Sequence, residues 1–152
     1  MHQLTSKDYE NLLAFRTSLR RFQRWSQTQA RAAGLTPAQH QLLLAVKGHR
    51  GEQGPTVGDL ASYLLLRHHS TVELIDRAET AGYVERWADS DDGRITRVRL
   101  TPDGEKRLNQ LAPAHLDELH RLAPILGQLA GSWESSQATA GPPAAIPPAG
   151  QQ

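Results

Sequence analysis

The stretch from Thr56 to Thr101 constrains this chain more than any other. Two short segments with helical spacing come first. Val57, Leu60, Ala61 and Leu64 follow the i, i+3, i+4, i+7 rule, and Thr71, Leu74, Ile75 and Ala78 make the inner stripe of the second segment. Gly82 closes that segment. Two β-branched, basic stretches follow, around 83–87 and 95–100, joined by an acidic, glycine-bearing turn from Asp89 to Arg94. Helix, turn, helix and hairpin in that order predict a mainly α fold with a small β-hairpin wing: a winged helix-turn-helix. Such a unit commonly sets its second helix in the DNA major groove and its hairpin tip on the backbone or in the minor groove.

Long helical flanks are expected on both sides. Tyr9, Leu12, Leu13, Leu19, Phe22 and Trp25 recur mostly at steps of three or four, with Arg16, Arg20 and Arg24 as a basic edge, and Gly34 ends the helix. Thr36, Pro37 and Gln39 then carry a capping-box start for a short helix bearing Leu42, Leu43, Leu44 and Val46. Beyond Pro102, the residues Leu108, Leu111, His115, Leu119, Leu122, Leu126 and Leu129 form a second stripe, which Pro113 and Pro124 are expected to kink or split. After Gly131, Ala, Gly, Pro, Ser and Gln dominate, the composition of a disordered tail. The expected organisation is an N-terminal helix (1–34), a winged helix-turn-helix domain (35–104), C-terminal helices (105–130) and a disordered tail (131–152); the family resemblance given below implies that the terminal helices are dimerisation helices and the middle domain binds DNA. A second copy of the chain is expected to cover the leucine stripe, because one small reading unit offers too little surface.

Composition narrows the function. Hydrophobic residues make up 38% of the 152 and aromatics 5%, so the core is aliphatic and thin, and a partner subunit would help complete it. With no cysteine there is no disulfide framework, thiolate zinc site or thiol redox switch. No apolar run approaches the roughly 20 residues of a membrane span. The first residues lack an apolar signal core, so a soluble cytoplasmic protein without membrane association is expected. Neither a glycine-rich phosphate loop, a nucleophile elbow nor a metal-ligand motif is present, so no enzyme activity, cofactor or metal is expected. Net charge is only +1. Between Thr56 and Arg107, eight Lys and Arg face ten Asp and Glu. Attraction to double-stranded DNA must then come from where the arginines sit. The same acidic balance supports an alternative, a winged-helix protein-interaction module without DNA function.

The candidate contacts follow. Arg94, at the hairpin tip, suits a narrow minor groove, with Asp92 holding the arginine or the turn. On the outer side of the second helix lie Arg67, His68, His69, Ser70, Val72, Glu73 and Arg77. Arginine and serine suit phosphates or base edges, Val72 a thymine methyl, and Glu73 a cytosine amino group. This helix begins either at Arg67 or as late as Ser70, since Ser70 and Glu73 themselves form a capping-box pattern. Adjacent helical histidines point about 100° apart, so His68 and His69 do not suit one metal ion.

In these residues the chain resembles the MarR family of transcriptional regulators, from about Leu35 to Leu111. The resemblance is carried by Leu60-Ala61, Leu74-Ile75-Asp76-Arg77, Gly82-Tyr83-Val84, Asp92-Gly93-Arg94 and Leu100-Thr101-Pro102-Asp103-Gly104. It implies a homodimer built by the terminal helices, bound to a pseudo-palindromic operator and released by a small ligand, most often a repressor. It also implies an aspartate–arginine arrangement at the wing. An effector cleft between dimer helices and reading unit is implied too, for which Arg16, Arg20, Phe22 and Trp25 are candidates, with a small aromatic or anionic effector. One departure stands out: Arg67-His68 occupies the place where many members carry serine followed by arginine.

Overall fold

Seven elements follow one another in the order the spacing predicts. In the computed structural model, which describes residues 4–137 and their side chains through Gly131, these are α1 (Ser6–Ala32), α2 (Pro37–Gly48), α3 (Val57–Leu64), α4 (His68–Thr80), β1 (Val84–Ala88), β2 (Thr96–Leu100) and α5 (Pro102–Gln137). The chain forms two compact units. The larger runs Phe22–Glu118, and the outer ends of α1 and α5 make the smaller.

Local chemistry sets the boundaries in the larger unit. Thr36 caps α2: its hydroxyl accepts the Gln39 N–H at 3.1 Å, while the Gln39 side chain accepts the Thr36 N–H at 3.0 Å. Thr56 and Asp59 repeat this arrangement at α3, at 3.1 and 2.9 Å. The carboxyl of Asp59 is held below its ordinary range, first by the Thr56 N–H it accepts. α3 ends on Leu65, which sits in the left-handed region (φ 54°, ψ 41°). Its neighbour Leu66 donates its N–H to Ala61 O at 3.1 Å, which closes the helix and turns the chain. Leu65 is 91% exposed, so nothing packed holds it in that conformation.

The core of this unit gathers Leu35, Leu42, Leu43 and Val46 from the α2 region, Leu60 from α3, Ile75 and Ala78 from α4, Val84 and Val98 from the hairpin, and Leu108 and Leu111 from α5. Each fully buried leucine contributes about 1.5–3 kcal/mol. β1 and β2 pair antiparallel in the register Val84↔Leu100, Arg86↔Val98 and Ala88↔Thr96. At the base of the hairpin, Tyr83 O accepts the Thr101 N–H at 3.0 Å, which locks the end of the wing to the start of α5.

Two expectations change. Pro113 and Pro124 do not split α5, which is one assigned helix. Each proline removes the donor for the carbonyl four residues back, at Asn109 and His120. All four positions are exposed, so water can satisfy those carbonyls and the helix continues. The helix also runs to Gln137, seven residues into the expected tail (131–152), and the rest of that tail lies outside the described residues. In the smaller unit Tyr9, Leu12, Leu13 and Leu19 of α1 and Leu119 and Ile125 of α5 are all exposed, Leu13 at 65%. The periodic stripes exist, but within one chain much of their apolar surface meets water.

Candidate nucleic-acid interface

α4 starts at His68, between the two positions the sequence left open. Arg67 occupies the capping position in extended geometry (φ −69°, ψ 155°) without a side-chain cap bond. The Ser70–Glu73 pattern is not used as a cap, because the helix is already under way. Thr71 explains the earlier start: it is fully buried, and its hydroxyl donates to Arg67 O at 2.9 Å. With Thr71, Ile75 and Ala78 inward, Arg67, His68, His69, Glu73 and Arg77 are exposed, and Ser70 and Val72 are half-buried.

The wing tip is organised by carboxylates. Asp89 Oδ1 accepts the N–H groups of Asp91 at 2.8 Å and Asp92 at 3.0 Å, which folds the turn. Its other oxygen accepts Arg97 Nε at 2.5 Å, and Arg97 Nη1 donates to Gly54 O at 2.7 Å. Arg97 thus ties the wing to the loop before α3. The Arg97 guanidinium, then the N–H groups of Asp92 and Asp91, hold the Asp89 carboxyl below its ordinary range. One step outward, Arg94 donates Nε to Asp92 Oδ1 at 3.0 Å and Nη2 to Oδ2 at 3.1 Å, a bidentate pair. This pair lowers the Asp92 carboxyl and raises the Arg94 guanidinium from their ordinary values. The Arg94 side chain is nevertheless 91% exposed. It is aimed by one face and open on the other.

Arg86 joins wing and helix. Its guanidinium reaches Asp76 at 2.5 Å and Glu79 at 3.1 Å, and its backbone N–H donates to Glu79 at 2.9 Å. A cleft of about 430 Å³ lies between the start of α4 and the hairpin, where His68, Val72, Arg86 and Arg94 come together with Thr56 and Thr96. Arg77 does not line it.

The acidic balance now has a structural account. Asp76 and Glu79 are held by Arg86, Asp89 by Arg97, Asp92 by Arg94, Glu85 by Arg99, Glu105 by Lys47 and Asp103 by Arg107, while Asp59 caps α3. Among the described residues of this window, only Glu73 and Asp91 are acids outside an ion pair or cap; Arg67, Arg77 and Lys106 are the unpaired cations. The total is acidic, but the unspent charge is not. Composition could not reveal this, and Arg86, Arg97 and Asp89 escaped sequence reasoning. The available signal was weak: an arginine across the ladder from Trp87, and the aspartate that opens the acidic turn.

A second concavity, also of about 430 Å³, lies between α1, α2 and α5 in the larger unit. Phe22, Ser26, His40, Leu44 and His115 line it with three glutamines and Pro37. Phe22 reaches it as the effector expectation requires. Trp25 packs behind it against His115, with ring centres 4.7 Å apart. Arg16 and Arg20 are exposed and are not among its lining residues.

Residues 33–95 match the model of the MarR family. Over that stretch, 63 of its 152 residues, the chain is similar to the MarR family. YsmB of Bacillus subtilis (strain 168), described as an uncharacterized HTH-type transcriptional regulator, is 36% identical over 56 residues, 37% of this chain and 38% of its own. The aligned stretches span about two fifths of the length of the curated relatives they match. Among solved structures, AbsC, a MarR family transcriptional regulator from Streptomyces coelicolor, superposes with a TM-score of 0.69 at 20% identity, over 92% of this chain and 96% of its own. The S. aureus MepR–DNA complex superposes with a TM-score of 0.66 at 18% identity, over 90% and 96%. At such identities the solved structures speak to the fold alone, which takes in the flanking helices as well as the winged helix.

Proposed function

We propose that the chain is a DNA-binding transcriptional regulator that acts as a homodimer on a pseudo-palindromic operator, as a ligand-responsive repressor. One observation carries the DNA reading: an almost fully exposed arginine, braced by a bidentate aspartate, stands at the tip of a hairpin clamped to the recognition helix. In a duplex, α4 would present His68, His69, Ser70, Val72, Glu73 and Arg77 to the major groove, while Arg94 would enter the flanking minor groove. The MepR–DNA complex supports DNA as the partner. The exposed apolar faces of α1 and α5 support a second copy of the chain, and two reading units would then address grooves about 34–36 Å apart. A ligand would act by favouring a dimer with a different spacing.

Binding to the region upstream of the chain's own gene tests the reading. Wild-type protein should bind with an affinity that falls steeply with salt. Arg94→Ala should weaken binding about 10- to 100-fold, the range of a good base or groove contact, and leave the melting temperature unchanged. No salt-dependent binding in dilute buffer would favour the protein-interaction alternative.

A further inference from the structure

Five arginines stand along α1, at positions 16, 20, 21, 24 and 31, with no Asp or Glu between the first and the last. All five are exposed. At about 100° and 1.5 Å per residue, Arg16, Arg20, Arg24 and Arg31 share an arc of about 80° along about 22 Å of helix, with Arg21 about 60° to one side. The opposite side fixes the rotation of the helix. Ala30 is fully buried in the core of the larger unit, Trp25 packs on His115 with ring centres 4.7 Å apart, and the Ser26 hydroxyl lies 2.8 Å from His115 Nε2. His115 faces His40 in turn, with ring centres 4.8 Å apart. The arginine arc is therefore turned to water.

Among the described residues no carboxylate meets any of these guanidiniums, whereas most acids from 56 to 107 are held by a cation or a cap. Like charges three or four positions apart, as in Arg16–Arg20, Arg20–Arg24 and Arg21–Arg24, weaken a helix. An anion laid along the row would relieve that repulsion. The row also narrows what the anion is. Between its arginines the arc holds Gln27 and no apolar side chain, while Trp25 and Ala30 are turned to the protein, so nothing is free to insert into lipid. A straight row suits a linear polyanion. Duplex DNA offers one phosphate per about 3.4 Å of axis on each strand, about six over the length of the row. The guanidinium fork matches phosphate oxygens. An extended acidic peptide carries fewer charges per ångström even when every residue is acidic, and it lacks the condensed counterions whose release drives binding.

We propose that the arginine face of α1 is a second, sequence-independent surface for duplex DNA, separate from α4 and the wing. Its guanidiniums meet phosphates and no base edge, so it adds affinity without preference. Arg24 and Arg31 lie in the larger unit with α4, and Ala30 and Ile75 enter one core from α1 and α4. The outer faces of the two helices look out from that core on different sides. The duplex on α1 is therefore a segment other than the half-site proposed for α4. This surface goes beyond the regulator reading and does not need it, since it binds whether or not α4 recognises an operator.

Fluorescence anisotropy with a labelled duplex of scrambled sequence, read across a salt series, is the test. The full chain first carries Arg67→Ala, Arg77→Ala and Arg94→Ala, which disable the reading face. This protein should still bind the scrambled duplex, with log affinity falling against log salt at a slope of about 3–4, one unit per phosphate met. Adding Arg16→Gln, Arg20→Gln, Arg24→Gln and Arg31→Gln should weaken binding at low salt by more than about tenfold and remove that slope. Lys at the same four positions should restore both. All seven side chains are exposed, so the melting temperature should hold in every variant. Polyglutamate of matched charge and phosphatidylglycerol vesicles should compete at least about tenfold less well than duplex. Loss of all duplex binding in the first variant, an unchanged slope after the Gln changes, or equal competition by polyglutamate or vesicles overturns the proposal. The regulator reading fails separately: wild-type protein would then bind the region upstream of its own gene no better than the scrambled duplex, while the α1 surface stood.

Discussion

A single methyl group at position 104 should reverse the usual sign of a glycine-to-alanine change. Gly104 lies in the first turn of α5, where alanine ordinarily gains about 1 kcal/mol over glycine. Here a Cβ would stand 2.0 Å from Tyr83 O, 2.8 Å from its carbonyl carbon and 3.1 Å from its Cα. An ordinary carbon–oxygen contact is about 3.3–3.6 Å, so backbone must move by more than an ångström. Slack is scarce. Tyr83 O accepts the Thr101 N–H at 3.0 Å, the Thr101 hydroxyl donates to Gly82 O at 2.6 Å, and that same hydroxyl accepts the Gly104 N–H at 3.0 Å. Overpacking costs about 1–3 kcal/mol, and loss of one of these hydrogen bonds about 1 kcal/mol more. Set against the propensity gain, Gly104→Ala should destabilise by about 1–3 kcal/mol. Urea unfolding followed by circular dichroism at fixed protein concentration measures it. Gly127, in the same helix, has nothing within 4 Å of its Cβ position, so Gly127→Ala should instead be neutral or gain up to about 1 kcal/mol. Equal stabilisation by both changes would refute the contact between α5 and the foot of the wing.

Other expectations are quick to check. Leu65→Gly relieves a left-handed leucine worth about 1–2 kcal/mol of strain, offset by about 0.5–1 kcal/mol of glycine entropy; thermal melting should show no loss and a small gain. Asp89, held below its ordinary 3.8, contributes stability that is fully present above that value and fades as pH falls through its lower folded-state value. Asp89→Asn should therefore flatten the acid end of the stability profile below about pH 4, and an unchanged profile would remove the Arg97 tie from the account. Arg86→Met frees Asp76 and Glu79 beside the proposed DNA-facing surface. It should lower DNA affinity severalfold, with a gap that shrinks at high salt, while calorimetric melting moves little, since half-exposed pairs are worth under about 1 kcal/mol.

Much of the fold was legible because apolar spacing and cap residues act locally. Thr36 with Gln39 and Thr56 with Asp59 announced two helix starts, and Val98 and Leu100 placed the second strand. What failed was non-local. The start of α4 turned on the burial of Thr71 beneath Arg67, which no propensity at Ser70 could express. Pro113 and Pro124 looked like breaks because the sequence does not say which side of a helix faces water. At the candidate site, Arg94 and Asp92 were visible from their place in the turn. Arg86, Arg97 and Asp89 were not, since their partners lie 7 to 43 residues away. Likewise His40 and His115, far apart in the chain, gave no hint that they would face each other.

In the proposed complex, the bridge from Arg86 to Asp76 and Glu79 turns α4 and the wing into one instrument with a fixed gauge. Neither can slide along a duplex without carrying the other. In a half-site of the proposed operator, a base pair inserted between the positions met by α4 and the minor groove met by Arg94 should therefore be tolerated far less well than a substitution at either one.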